Sequence, residues 1–265
     1  MRLYDFEYDG LRLQDFGMAL CRFDGGGIDT VNLPEITFNT ISTQNGVKHK
    51  LASVEYEDCL TFTLQICKNL CDGVSMELSL EDMRDFYRWL NRKEFHKFRP
   101  IDYDGEYSGI SCNASFNISK IEMDGKLIGL ELEAITDSPF MYKEPVTINI
   151  NITEENEVNT IYSKSDLSGH IYPDMEITIE QDGDLEIYNA TENRTMRIAN
   201  CVKDEIITLN YPMITSSLPS HNVLNDFNWI FFRLATSFKN RLNEITVSIP
   251  CSIKMTYSPI VKVGI

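Results

Sequence analysis

The sequence predicts a mainly β protein organised as two domains. Three observations carry this: long stretches of alternating apolar and polar residues, turn dipeptides between them, and a single stretch with helical periodicity. At 265 residues the chain exceeds the usual span of one core, about 100 to 200 residues. Its 43% hydrophobic and 24% charged residues are those of a folded globular protein.

Two tight turns define hairpins in the first half. Asn45-Gly46 lies between ITFNTIST and VKHKLASVEY, and Asp124-Gly125 lies between SKIEM and KLIGLELEAI. Such pairs accept the positive φ that two-residue turns demand. In CLTFTLQIC, Leu60, Phe62, Leu64 and Ile66 alternate with Thr61, Thr63 and Gln65, the pattern of a half-buried strand. One segment breaks the alternation. SLEDMRDFYRWLNRKEF has Ser79 as N-cap, Asp82 three residues on, and Met83, Phe86, Tyr87 and Leu90 on one helical face. It predicts a helix over about 79–98, packed on a sheet, with Pro100 preventing its continuation.

The two prolines of SPFMYKEP, Ser138 to Pro145, mark the expected boundary between domains 1–145 and 146–265. Beyond it alternation is clean: Met175, Ile177, Ile179; then Ile245, Val247, Ile249; then Cys251, Ile253, Met255, Tyr257. Many short strands with polar residues interleaved predict a β-sandwich. The densest aromatic run, NDFNWIFFRL (Asn225 to Leu234), reads as a strand covered on both sides. Phe227, Trp229 and Phe231 would face one way and Ile230, Phe232 and Leu234 the other, with a helix over Trp229 to Phe238 as the alternative.

The net charge of −16 is spread over both halves, which disfavours nucleic-acid binding because phosphates attract clustered Lys and Arg. Seven scattered cysteines, with no secretory signal ahead of them, read as free thiols made in a reducing cytoplasm. The sequons at Asn113, Asn117, Asn151, Asn189 and Asn193 carry no weight without such a signal. No run of about 18 apolar residues is present, so no membrane span is expected.

Catalytic, cofactor and metal residues are not expected. His49, His96, His170 and His221 are far apart, and none has H-x-x-x-H spacing. Cys67 and Cys71 lack a second ligand pair, which favours free thiols over a metal site. Asp102, Asp104 and Glu106 alternate as calcium ligands do. However, Tyr107 stands where an EF-hand requires glycine, so a solvated loop is the better reading. The Asp24-Gly-Gly-Gly27 stretch lacks the lysine and helix of a phosphate loop, and QDGD at Gln181 to Asp184 reads as a turn.

Four segments appear in an order that resembles the distal tail protein (Dit) family of long-tailed phages and prophages of Gram-positive bacteria. They are HIYPDMEITIEQDGDLEIYN from His170, RIANCVKDEIITLN from Arg197, NDFNWIFFRL, and NEITVSIPCSIKMTYSPIVKVGI from Asn243. The β-rich first half with one helix, ending in SPFMY, is similar to that family as well. The resemblance implies a non-enzymatic structural protein of the virion tail tip, assembled in the host cytoplasm. It would form a homo-hexameric hub ring from its N-terminal domain, with a galectin-like C-terminal β-sandwich projecting outward. Implied partners are the major tail tube protein, the tail-associated lysin or tip protein, and in some relatives a receptor-binding protein. DNA would pass through the ring, and acidic side chains of the N-terminal domain are expected to face that channel.

The alternative reading is a carbohydrate-binding module that recognises wall polysaccharide through the sandwich; a wall hydrolase ranks last. The H-x-N-P-R of a true galectin site is missing. Trp229 is expected in the core rather than as a sugar platform, so that Trp229→Ala would cost about 3 to 5 kcal/mol. Trp89, beside the apolar stripe of its helix, is expected to pack against a neighbouring subunit.

Overall fold

The computed structural model describes residues 3–23, 36–43, 46, 48–56, 58–69 and 75–262. Asp24 to Gly27, Asn45 and Cys71 lie outside them. The chain forms two compact units, one reaching to Tyr142 and joined by Lys262, the other Lys143–Val261. The sequence had suggested Pro145 as that point.

The first unit contains β1 (Asp5–Tyr8), β2 (Leu11–Arg12), β3 (Met18–Cys21), β4 (Ile36–Thr43), β5 (Lys48–Tyr56), β6 (Thr61–Lys68), α1 (Leu80–Leu90), β7 (His96–Ile101), β8 (Ile110–Met123) and β9 (Lys126–Thr136). Its main sheet runs β2-β1-β7-β8-β9-β6-β3, and each neighbouring pair is antiparallel. The turn between β8 and β9 is the expected Asp124-Gly125, with φ of 51° and 75°. In β9, Gly129 is required by space: a Cβ there would lie 2.5 Å from the Phe23 ring and 2.7 Å from the Ile66 carbonyl oxygen.

Helix α1 begins as its sequence dictates. The Ser79 hydroxyl accepts from Asp82 N at 3.1 Å, and the Asp82 carboxylate accepts from Ser79 N at 2.8 Å, a reciprocal capping box. The helix stops at Leu90, short of the expected 98. The Asn91 amide is drawn to the Phe116 carbonyl at 3.0 Å, and the chain from His96 then enters the sheet as β7, where Phe98 and Ile101 are buried. Trp89 corrects a second expectation. Rather than awaiting a neighbouring subunit, it is buried within its own unit, stacked on Phe16 at a centroid distance of 4.4 Å. Phe6, Phe98 and Phe116 complete this aromatic core.

The short strand β10 (Met141–Lys143) leads into the second unit. That unit comprises β11 (Val146–Ile152), β12 (Val158–Tyr162), β13 (His170–Ile171), β14 (Asp174–Ile179), β15 (Gly183–Asn189), β16 (Arg194–Cys201), β17 (Ile206–Asn210), β18 (Met213–Ser216), the one-turn α2 (Val223–Asp226), β19 (Leu234–Ala235), β20 (Leu242–Val247) and β21 (Cys251–Tyr257). A five-stranded sheet, β11-β21-β14-β17-β18, and a four-stranded sheet, β12-β20-β15-β16, form a sandwich. The residues picked out by alternation fill one core: Met175, Ile177 and Ile179 from one sheet, Ile245 and Val247 from the other, then Ile249, Cys251, Ile253, Met255 and Tyr257.

NDFNWIFFRL is neither the two-faced strand nor the helix that its composition suggested. Only Leu234 lies in a strand, the two-residue β19. Asn225 and Asp226 close the one-turn α2, Phe227 makes a single bridge to Ile198, and the residues from Asn228 to Arg233 form a loop whose backbone is captured by side-chain and main-chain groups of neighbouring strands. Asn228 donates from its main chain to the Arg197 carbonyl at 3.0 Å and from its side chain to that of Thr195 at 3.1 Å. The Asn189 amide donates to the Arg233 carbonyl at 2.9 Å. These bonds compete with ladder formation. Phe227, Phe231 and Phe232 are buried beneath the loop, whereas Trp229 is 59% exposed with φ of 59°.

Candidate functional site

Among the described residues no group of three or more His, Cys, Asp or Glu is disposed to hold a metal ion. The Asp102 loop is closed on itself: Asp102 N donates to the Glu106 carbonyl, and Gly105 N to the Asp102 carbonyl, both at 2.9 Å. Tyr107 faces away from any ion role. Its hydroxyl donates to Glu7, and Arg12 and Arg99 lie over its ring at 5.1 and 5.3 Å. The described cysteines are free thiols, and burial pushes those of Cys112, Cys201 and Cys251 up to about 12, which leaves them unreactive. His221 sits in a buried polar network in which its Nδ1 lies 2.6 Å from Glu205 Oε1 and its Nε2 lies 3.2 Å from Asp226 Oδ2. Burial alone would raise the Glu205 carboxyl. Hydrogen bonds from the Ser216 hydroxyl, Val202 N–H and the His221 ring outweigh it and hold the group below the ordinary glutamate range.

The feature that stands out is a surface. Strands β4 and β5 pair with each other and with no other strand among the described residues. Their register, Ile36 with Tyr56, Phe38 with Val54 and Thr40 with Leu51, places these side chains on one face. A bulge between Asn39 and Thr40 makes Ala52 the extra residue, and so keeps Leu51 on the side of Phe38 and Val54. On that face Phe38 is 62%, Leu51 56% and Val54 45% exposed. The opposite face is polar, with Thr37, Asn39, Ser53, Glu55 and Lys50, and Ile41 as its exception. The hairpin is fixed at its base, where the Tyr56 ring meets Phe140 edge-on at 4.7 Å and the Lys262 ammonium lies 5.7 Å from Tyr56. Beyond that base, an amphipathic ribbon offers apolar side chains and unpaired strand edges to solvent, a combination that marks an interaction surface.

A second exposed aromatic, Trp229, was expected in the core. Its ring lies 5.7 Å from Phe227, and the Asn228 carboxamide oxygen accepts from Ile230 N at 3.1 Å, which helps hold the residue in the left-handed backbone region. Sequence reasoning missed both surfaces. The alternation of Ile36, Phe38, Leu51 and Val54 reads equally well as a strand face buried on its own domain.

Comparison with known proteins agrees with this architecture. A family model described as "Phage tail protein N-terminal domain" matches residues 1–138, and another described as "Phage tail C-terminal domain" matches residues 140–257. The chain belongs to this family of phage tail proteins. Its fold is similar to that of the SPP1 Dit (gp 19.1) protein, whose crystal structure is described as a paradigm of the hub adsorption apparatus in phages infecting Gram-positive bacteria. The TM-score is 0.65 at 12% sequence identity, covering 97% of this chain and 99% of that one. No curated protein matches.

Proposed function

We propose that this chain is a structural, non-catalytic hub of the phage tail tip, six copies of which close a ring. The ring joins the tail tube on one side to the lysin-bearing tip protein on the other. The observation that carries this reading is the β4–β5 ribbon: a phage tail protein with an apolar, unpaired hairpin has a surface that a neighbouring copy can cover. A closed ring uses heterologous contacts, in which one surface of each subunit meets a different surface of the next, and a projecting hairpin is suited to supply one of the two. The net charge of −16 fits a ring through which DNA passes without adhering, with carboxylates of the first unit facing the channel.

The test is to replace Phe38 and Leu51 together by serine. Both side chains are exposed, so the double variant should keep the melting temperature of the parent monomer while losing assembly in sedimentation velocity. Assembly unchanged in this variant would overturn the role given to the hairpin.

A further inference from the structure

An open cleft of about 340 Å³ lies within the second unit, and Tyr172, Asp174, Tyr211, Thr256 and Ser258 contribute to its lining. Its aromatic wall is built in layers. Tyr211 stacks on Tyr172 with ring centroids 4.1 Å apart and planes 12° from parallel, and Phe231 backs Tyr211 edge-on at 5.2 Å. Tyr172 is flanked edge-on by the His170 ring at 5.3 Å, and His170 Nε2 lies 3.4 Å from the Arg233 guanidinium, itself 2.5 Å from Glu192. The wall is therefore held before any ligand arrives, which reduces the ordering cost of binding. Tyr211 nevertheless remains 55% exposed, so much of its ring surface is free. Beside the wall stands the Asp174 carboxylate, 3.1 Å from the side-chain amide group of Asn210, which donates to it when the amide is turned with its nitrogen toward the carboxylate.

We propose that this cleft binds a neutral saccharide, one or two sugar units long. A pyranose has an apolar C–H face and a rim of hydroxyls. The exposed tyrosine surface supplies the apolar partner, and Asp174, Thr256 and Ser258 supply acceptors and donors for the rim. The volume falls at the small end of ligand sites, about 300 to 1,000 Å³. The lining residues include one carboxylate and no cation, which disfavours phosphorylated or otherwise anionic ligands. Trp229 is not among the lining residues, so the site differs from a platform on that indole. It does not rest on the ring, because the lining comes from one copy of the chain.

The experiment is saturation-transfer NMR on the full chain with methyl glycosides of glucose, galactose, rhamnose and N-acetylglucosamine, and with choline as a cationic probe. At least one glycoside should receive saturation. Tyr211→Ala should weaken its binding at least tenfold and Asp174→Asn severalfold, whereas Tyr211→Phe and Trp229→Ala should retain it. Thermal melts of each variant separate lost binding from lost folding; if Tyr211→Ala fails to fold, Asp174→Asn and a Ser258→Ala, Thr256→Val pair carry the test. Silence from all four glycosides, binding unaffected by the cleft variants, loss on Trp229→Ala alone, or binding of choline alone would each overturn the proposal. None of these results bears on ring assembly, which sedimentation reads separately.

Discussion

The indole Nε1 of Trp89 donates to the main-chain carbonyl of Tyr8 at 3.0 Å, tying helix α1 to strand β1. The bond solves two problems together. It satisfies the only polar atom of a buried indole, and it lets Trp89 stand in the core between Phe6 and Phe16. Trp89→Phe should lose about 1 kcal/mol through the missing donor, and Trp89→Ala about 3 to 5 kcal/mol through the cavity. Urea denaturation followed by far-UV circular dichroism measures both. An unchanged midpoint for Trp89→Ala would mean that the indole is at the surface after all.

The capping box of α1 gives a smaller prediction. Ser79→Ala removes one acceptor from an exposed helix start, and should cost about 1 kcal/mol. Ser79→Asp, which also caps and adds a favourable charge at that end, should restore most of the loss. The ranking of the three midpoints in urea checks this.

Glu205 links stability to pH. Its folded value is depressed below that of the unfolded chain, so its contribution is fully present above the ordinary glutamate range and fades as pH falls through the folded value. The difference in unfolding free energy between wild type and Glu205→Gln should therefore be largest near neutral pH and shrink on acidification. A difference that grows toward low pH would show that the carboxyl is held protonated in the fold.

Trp229 reverses the sequence-based expectation of a 3 to 5 kcal/mol loss. With the residue 59% exposed and its φ at 59°, Trp229→Ala should change stability by less than about 1 kcal/mol. Trp229→Gly should be neutral or raise the midpoint, because glycine adopts positive φ without the Cβ clash that costs other residues about 1 to 2 kcal/mol. Thermal melts of both variants decide. A fall of many degrees in either would put the indole back in the core.

The run containing Trp229 shows how far the sequence could be read. Burial of Phe227, Phe231 and Phe232 was legible because apolar side chains leave water in a strand or a loop alike. Conformation was not, because it is decided by Asn189, Asn228 and Arg194, polar residues that bond to backbone groups distant in the chain. Strands β14 and β21 were legible in full, since one face meets the core and the other does not. The start of α1 could be read from Ser79 and Asp82. Its end could not, since the amide of Asn91 is claimed by Phe116 from another strand. The cleft was hidden for the same reason: its residues come from positions near 172, 211 and 257.

The central claim is that copies of this chain close a ring through the β4–β5 ribbon, and the most direct test is its molar mass by light scattering, with negative-stain imaging of the same peak. The account predicts a species near six times the 30.5 kDa of the chain, seen as a ring with a central hole. A strict monomer at high concentration would contradict it.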